Sequence, residues 1–366
     1  MTFHVLKSPS GSSAGREAQP VFQWEQTIFT VGDVIHAAWA RGALEQPLAN
    51  LLRAVECERQ ATAQGLAAED ASLQAMSEEF RYARDLVTVE ETERWLAARN
   101  LTHEDFNHYF LRGYWAQNLE TEIPPPTADW PGDPDWRERL RVELLLSGEL
   151  DALARALVRR VAAAQEISDD VPPDVEMEKA FYARSGPDES ALAARLEALN
   201  RPRAWLTEQL RLEAAHQQLC ERWLTAEPRA AMLASQRLNL TRLEVEYMNL
   251  PARDAAQEAL WCLREGGMTM DELAAECGSP AERAAVFLED LTEDQQRKFL
   301  SAAPGEILEL EEVDAGFQLC RLAGKSPPRL TDEEIAARID RRILDKQFAA
   351  LTAKPLRWLL GEPTKP

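Results

Sequence analysis

The stretch that decides the fold reads RLEVEYMNLPARDAAQEALWCLREGGMTMDELAAECGSP over residues 242–280 and FLSAAPGEILELEEVDAGFQLCRL over 299–322. From Leu243 the first part alternates. Leu243, Val245, Tyr247 and Asn249 fall on one face, and Glu244, Glu246, Met248 and Leu250 on the other, which is the pattern of a half-buried strand. An amphipathic helix follows, with Ala256, Ala259, Leu260 and Leu263 on one stripe, and Gly266-Gly267 stops it. A second helix starts at Thr269 as N-cap, with Glu272 at N3 and a Met268–Leu273 staple. Further on, Pro304-Gly305-Glu306 turns the chain and Ile307, Leu308 and Leu310 open a strand. Val313–Gly316 makes a hairpin turn and Phe317–Leu322 returns. The expected order is strand, helix, helix, short helix, strand, strand.

That order, with A-x-P-G-E at 302–306 and G-F-Q-L-C-R-L at 316–322, resembles the parvulin (PpiC-type) peptidyl-prolyl isomerase domain. A long helical region precedes it and one amphipathic helix follows, so the whole chain resembles the SurA/PpiC foldase-chaperone architecture. The resemblance implies a mainly α chain with a small α+β domain and a SurA-like helical lobe onto which the C-terminal helix docks back. It also implies where chemistry should sit. Parvulins place one histidine on the first strand and one on the last, around the prolyl peptide. The matching positions here are Tyr247 and Gln318, and no histidine follows His216. No catalytic residue is therefore assigned. Phe287, Leu291 and Phe299 lie where parvulins keep apolar groups for the proline ring. With Tyr247 and Gln318 they form the candidate peptide-binding set.

Composition sets the outer bounds. The 366 residues are enough for two or three domains, and 45% hydrophobic with 28% charged residues is a soluble balance. A net charge of -21 disfavours nucleic acid and anionic membrane and favours basic clients. The first residues, MTFHVLKSPSGSSAGREAQP, lack the apolar core of a secretory signal, and no apolar run approaches a membrane span. Cys57, Cys220, Cys262, Cys277 and Cys320 are odd in number and show no C-x-x-C spacing. A reducing cytoplasm is the expected setting.

In chain order, residues 1–20 are Ser/Gly-rich and read as disordered. Val21–Phe29 offers a short strand, and Thr30–Asp33 opens a helix in a T-x-x-D-V turn similar to that of SurA N-terminal domains. A helical unit is expected over 21–123, a Pro-rich linker over 124–135, and a second helical unit over 136–237. The parvulin-like domain follows over 238–325, then a C-terminal helix and strand over 326–366. Tyr82-Ala83-Arg84 recurs as Tyr182-Ala183-Arg184, and Leu96 and Asn100 recur as Leu196 and Asn200, so the two helical units read as tandem repeats. After Pro327-Pro328, the run from Leu330 to Ile335 carries another capping box, at Thr331, and staple. Ile335, Ile339 and Ile343 form a stripe expected to bury against the N-terminal helical lobe.

Metal and cofactor signals are weak. Glu213 and His216 make one E-x-x-H, but a di-iron bundle needs two such pairs and further glutamates. His103 and His108 stand about 140° apart around a helix and share no ligand face. No cofactor and no metal are expected. The reading is a peptide-binding foldase or chaperone with a degenerate isomerase domain, acting on an unfolded or extended polypeptide and fit for a dedicated maturation client. Two alternatives stand beside it: a non-catalytic adaptor for one folded partner, and a weakly active prolyl isomerase.

Overall fold

The computed structural model describes residues 16–120, 133–167, 179, 181–182, 189–308, 310–313 and 316–361. The Ser/Gly-rich start, most of the Pro-rich linker, the second Y-A-R's Ala183 and Arg184, and the Asp314-Ala315 turn lie outside the described residues. The fold is mainly α with two small antiparallel sheets. The chain divides into two units, Met1–Cys220 with Phe348–Pro366, and Glu221–Gln347.

The first unit begins with β1 (Pro20–Trp24) and β2 (Thr27–Thr30). Its helices are α1 (Val31–Ala40), α2 (Glu45–Ala63), α3 (Asp70–Tyr82), α4 (Val89–Ala98), α5 (His103–Asn118), α6 (Pro134–Ser147), α7 (Glu149–Glu166), α8 (Glu189–Ala198) and α9 (Arg203–Trp223). Threonine sets several of their starts. Thr30 with Asp33, Thr88 with Glu91 and Thr102 with Asp105 each form a reciprocal capping box, satisfying donors that a helix start leaves open. Leu51, Phe80, Leu96, Leu101 and Phe106 lie in one core with Leu140, Leu144, Leu150 and Leu157. Asn100 and Asn200 both adopt left-handed backbone, at φ 51° and 52°. Behind each, an amide closes the helix in the same way: Leu101 N–H to Leu96 O at 2.9 Å, and Arg201 N–H to Leu196 O at 2.8 Å. The recurring Leu and Asn thus mark the same helix-ending turn.

The second unit contains α10 (Ala226–Ser235), β3 (Arg242–Leu250), α11 (Arg253–Arg264), α12 (Met270–Cys277), β4 (Glu282–Phe287), a short 3-10 turn (Leu288–Asp290), α13 (Glu293–Ser301), β5 (Glu311–Val313) and β6 (Gly316–Ser326). The sheet order is β4-β3-β6-β5, all antiparallel. β3 is central and splits its side chains as the alternation requires. Met248 and Leu250 pack with Leu319 under α11 and α12, against Ala256, Ala259, Leu263, Met270 and Leu273. Leu243 and Val245 pack with Leu322 against Leu288 and Phe299 on the other face. Gly316 is required at the hairpin end. Its φ is 126°, and a Cβ there would run into the Leu250 carbonyl oxygen.

Three sequence expectations change. The segment between α12 and α13 holds an additional strand, β4, paired along β3 from Arg242–Phe287 to Tyr247–Glu282. The last helix, α14 (Glu333–Thr352), is capped by Asp332 rather than Thr331: its carboxylate accepts from the Glu334 and Ile335 amides at 3.0 and 3.4 Å. Finally, Ile335, Ile339 and Ile343 do not bury against the N-terminal lobe. They pack with Leu240 and Phe287, beside Trp223, Met232 and Leu233, inside the second unit. The return to the first unit is made by the end of the chain. Phe348 stacks on His216 at 5.4 Å, and β7 (Leu356–Trp358) adds to β1, giving the sheet order β2-β1-β7.

Candidate functional site

Strand register puts the candidate site together. Tyr247 on β3 stands opposite Glu282 on β4 and Cys320 on β6, and one step along, Asn249 stands opposite Gln318. Glu311 on β5 continues that second row, opposite Gln318. Side chains at alternate strand positions share a face. These groups therefore lie on the face that carries Leu243, Val245 and Leu322, partly covered by α13. Leu291 and Phe299 belong to the same cluster as Tyr247 and Cys320. Four of the five sequence-predicted residues are thus brought to one face. Phe287 is not. It is the last residue of β4, buried with Leu240 and the α14 isoleucines, with the Arg338 and Arg242 guanidinia over its ring at 4.2 and 4.9 Å.

Tyr247 and Gln318, the two residues expected at the histidine positions, are engaged by neighbours. The Tyr247 hydroxyl donates to Glu282 Oε2 at 2.5 Å, and this bond raises the phenol pKa above its ordinary 10.0. The Gln318 amide donates to Asn249 Oδ1 at 3.1 Å. Cys320, directly across from Tyr247, is half-buried, and burial followed by the Glu311 carboxylate pushes its thiol up to about 11. At neutral pH it is a protonated thiol and a poor nucleophile. The face is therefore polar, half-open and mildly acidic, with neutral Tyr, Gln, Asn and Cys at its centre.

Sequence reading missed Glu282, Asn249, Glu311 and Cys320. Parity along β3 puts Asn249 on the Tyr247 face without giving it a role, and parity along β6 could have placed Cys320. Glu282 required knowledge of β4. On the opposite face the buried Glu246 is held by Arg283 (3.1 Å) and Arg321 (2.5 Å), both opposite it in register. This cross-strand group pins the alignment of the three strands rather than serving the site.

Other weighed residues have structural partners. Glu213 binds Arg160 through two bonds, at 2.5 and 2.9 Å, and His108 faces Glu58 at 3.5 Å. In the first unit a cleft of about 520 Å³ opens between the β1–β2 hairpin and α9, with Ile28, Phe29, Trp205 and Leu212 in its lining. No helix among the described residues is long and apolar enough to cross a membrane.

No model of a known protein family matches the chain, and neither does any curated protein. Several solved structures are similar to it. One is the peptidylprolyl isomerase PrsA from Bacillus cereus, 12% identical, with a TM-score of 0.33, covering 58% of this chain and 80% of that one. Another is the foldase protein PrsA from Streptococcus pneumoniae, 11% identical, with a TM-score of 0.22, covering 63% and 86%. A third is a SurA-like chaperone structure from Campylobacter jejuni, 12% identical, with a TM-score of 0.19, covering 64% and 95%. The expected cytoplasmic setting stands corrected: the description of the Campylobacter structure includes a periplasmic protein. No disulfide joins the five cysteines, and thiols alone do not fix a compartment.

Proposed function

We propose that this chain is a foldase-type chaperone that holds extended polypeptide and whose parvulin-like sheet binds without rotating the prolyl bond. The observation that carries the reading is the engagement of Tyr247 by Glu282 and of Gln318 by Asn249. Rotation about a peptide bond meets a barrier of about 18–20 kcal/mol. An isomerase lowers it by favouring the less polar, twisted amide. A half-open face with a carboxylate bonded to its central hydroxyl does not offer that environment. The groups that would touch a proline ring, Leu291 and Phe299, need no ionisation to bind. The client is an unfolded or extended segment, and a single dedicated maturation client fits equally.

The first test is exchange spectroscopy on a short X-Pro peptide. The expected rate with substoichiometric protein is the uncatalysed one, with exchange times of about tens to hundreds of seconds. Robust acceleration would overturn the reading. The second is affinity. Peptides bearing Lys or Arg beside the proline should bind more tightly than acidic ones and weaken with salt. Glu282→Gln should weaken the basic peptide by about two- to five-fold, the scale of an exposed ion pair. Binding confined to one folded protein, with no affinity for extended peptides, would favour the adaptor instead.

A further inference from the structure

Away from the candidate site, the first unit holds an arginine whose guanidinium ends are buried and unpaired among the described residues. Arg41 closes the C-terminal end of α1, and both of its Nη atoms are buried with no hydrogen-bond partner. The other arginines with a buried, unpartnered nitrogen are anchored elsewhere on the guanidinium. Arg112 reaches Glu143, Arg137 reaches Glu17, Arg242 reaches Asp332, and Arg321 reaches Glu246. Arg41 has no such anchor among the described residues.

The charged groups that act on it are Arg160 on α7 and Glu213 on α9. Glu213 is already taken, since Arg160 holds both of its oxygens. Arg160's remaining Nη donates to the Ala156 carbonyl at 2.9 Å, so this arginine is satisfied. Arg160, Glu213, Arg159 and Arg41 all act on neighbouring His216. His216 is itself stacked on Phe348 and neutral at pH 7, its pKa pushed down to about 4 by burial and then by Arg160.

Buried charges are ordinarily paired, and an exception asks for a water, an ion or a ligand. A planar guanidinium offering two free Nη groups matches an oxyanion in shape as well as charge. We propose that Arg41, in the field of Arg160, forms a binding site for a small oxyanion, a carboxylate or a phosphate group. Arg41 as a residue is half-buried, with both of its Nη atoms covered.

The test uses the full chain. Thermal unfolding of the wild type is followed in inorganic phosphate, in acetate and in chloride at equal ionic strength and pH 7. A saturable rise of about 2–4 °C in phosphate or acetate over chloride is expected, and whichever salt acts identifies the chemistry. Arg41→Met should abolish the rise. Arg41→Lys, which keeps the charge without the fork, should require more oxyanion for half of the effect and decides the matter if the methionine variant does not fold. Phosphorus NMR gives a second reading, with the phosphate line broadened by wild type and not by Arg41→Met. Identical melting in all three salts would overturn the proposal and leave Arg41 to ordered water. So would an undiminished response in Arg41→Met, or an unshifted midpoint in Arg41→Lys.

Discussion

Replacing Ile339 by alanine is expected to destabilise the second unit by about 2–5 kcal/mol, the range for emptying a packed aliphatic site. Ile339 is 0% exposed, and its neighbours Leu240 (0%) and Phe287 (3%) are as fully enclosed. Ile335 and Ile343 continue the same stripe one turn on either side. Phe287 joins this cluster to the sheet, because it ends β4 and pairs with Arg242 at the start of β3. Ion pairs surround the seam: Arg338 with Glu289 and Asp290, Arg342 with Glu289, and Arg229 with Asp340. Such partly exposed pairs contribute about 0–1 kcal/mol each, so the apolar stripe carries most of the attachment. Arg341→Ala, at an exposed position on the same helix, serves as the control and should change stability by less than about 0.5 kcal/mol. Amide exchange in β3 and β6 reads the second unit separately from the first. If Ile339→Ala protects those amides as well as Arg341→Ala does, the stripe is not what holds α14.

The same segment shows what could be read from sequence and why some of it could not. The spacing of Ile335, Ile339 and Ile343 announces a buried face, but a stripe does not name its partner. Its partner includes Phe287, and Phe287 sits in the strand that was missed. Glu282-Arg-Ala-Ala-Val-Phe287 has two alanines at its centre and little β-branching, so its local preference is not for a strand. It becomes one because β3 offers an open edge along Arg242–Tyr247. Where local signals suffice, reading succeeds: the alternation of Leu243–Leu250 and the Thr269–Glu272 box describe β3 and the start of α12 as they stand. At the site, parity orders the side chains within β3 and within β6, and Tyr247 and Gln318 share a face because Asn249 pairs with Gln318. The pairing of Tyr247 with Cys320 depends on register, which a one-residue slip would undo. Contacts such as Arg201 to His36, far apart in sequence, leave no local trace.

Acid should unfold the first unit well before its carboxylates alone would require, and His36 and His216 are the two causes. This side chain is 4% exposed, and its pKa falls from 6.5 to about 3 through burial and then the charge of Arg201. Arg201 Nε donates to His36 Nδ1 at 3.0 Å, so the native ring keeps its own proton on Nε2 and accepts here. Asp33, bonded to Arg201 at 2.5 Å, opposes the shift, and Arg137 adds to it. The unfolded chain binds a proton near pH 6.5 that the native ring refuses until about pH 3. Stability from this group is therefore complete above pH 6.5 and drains as pH falls, by on the order of 4 kcal/mol near pH 3. His216, lowered to about 4, acts with the same sign. Asp33 adds to the loss lower still. Burial alone would raise its carboxyl, but the Thr30 hydrogen bonds and Arg201 bring it below 3.8, so its contribution is lost on protonation. His108 has the opposite sign, because its hydrogen bond to Glu58 raises its pKa, but it is 50% exposed and its effect is small. His36→Gln retains an acceptor for Arg201 and removes the titration. The urea midpoint of the first unit should then fall distinctly less between pH 6.5 and 4 than in the wild type, with His216 and the carboxylates setting the remainder. An unaltered slope in His36→Gln would mean that His36 takes up its proton in the folded chain as readily as in the unfolded one.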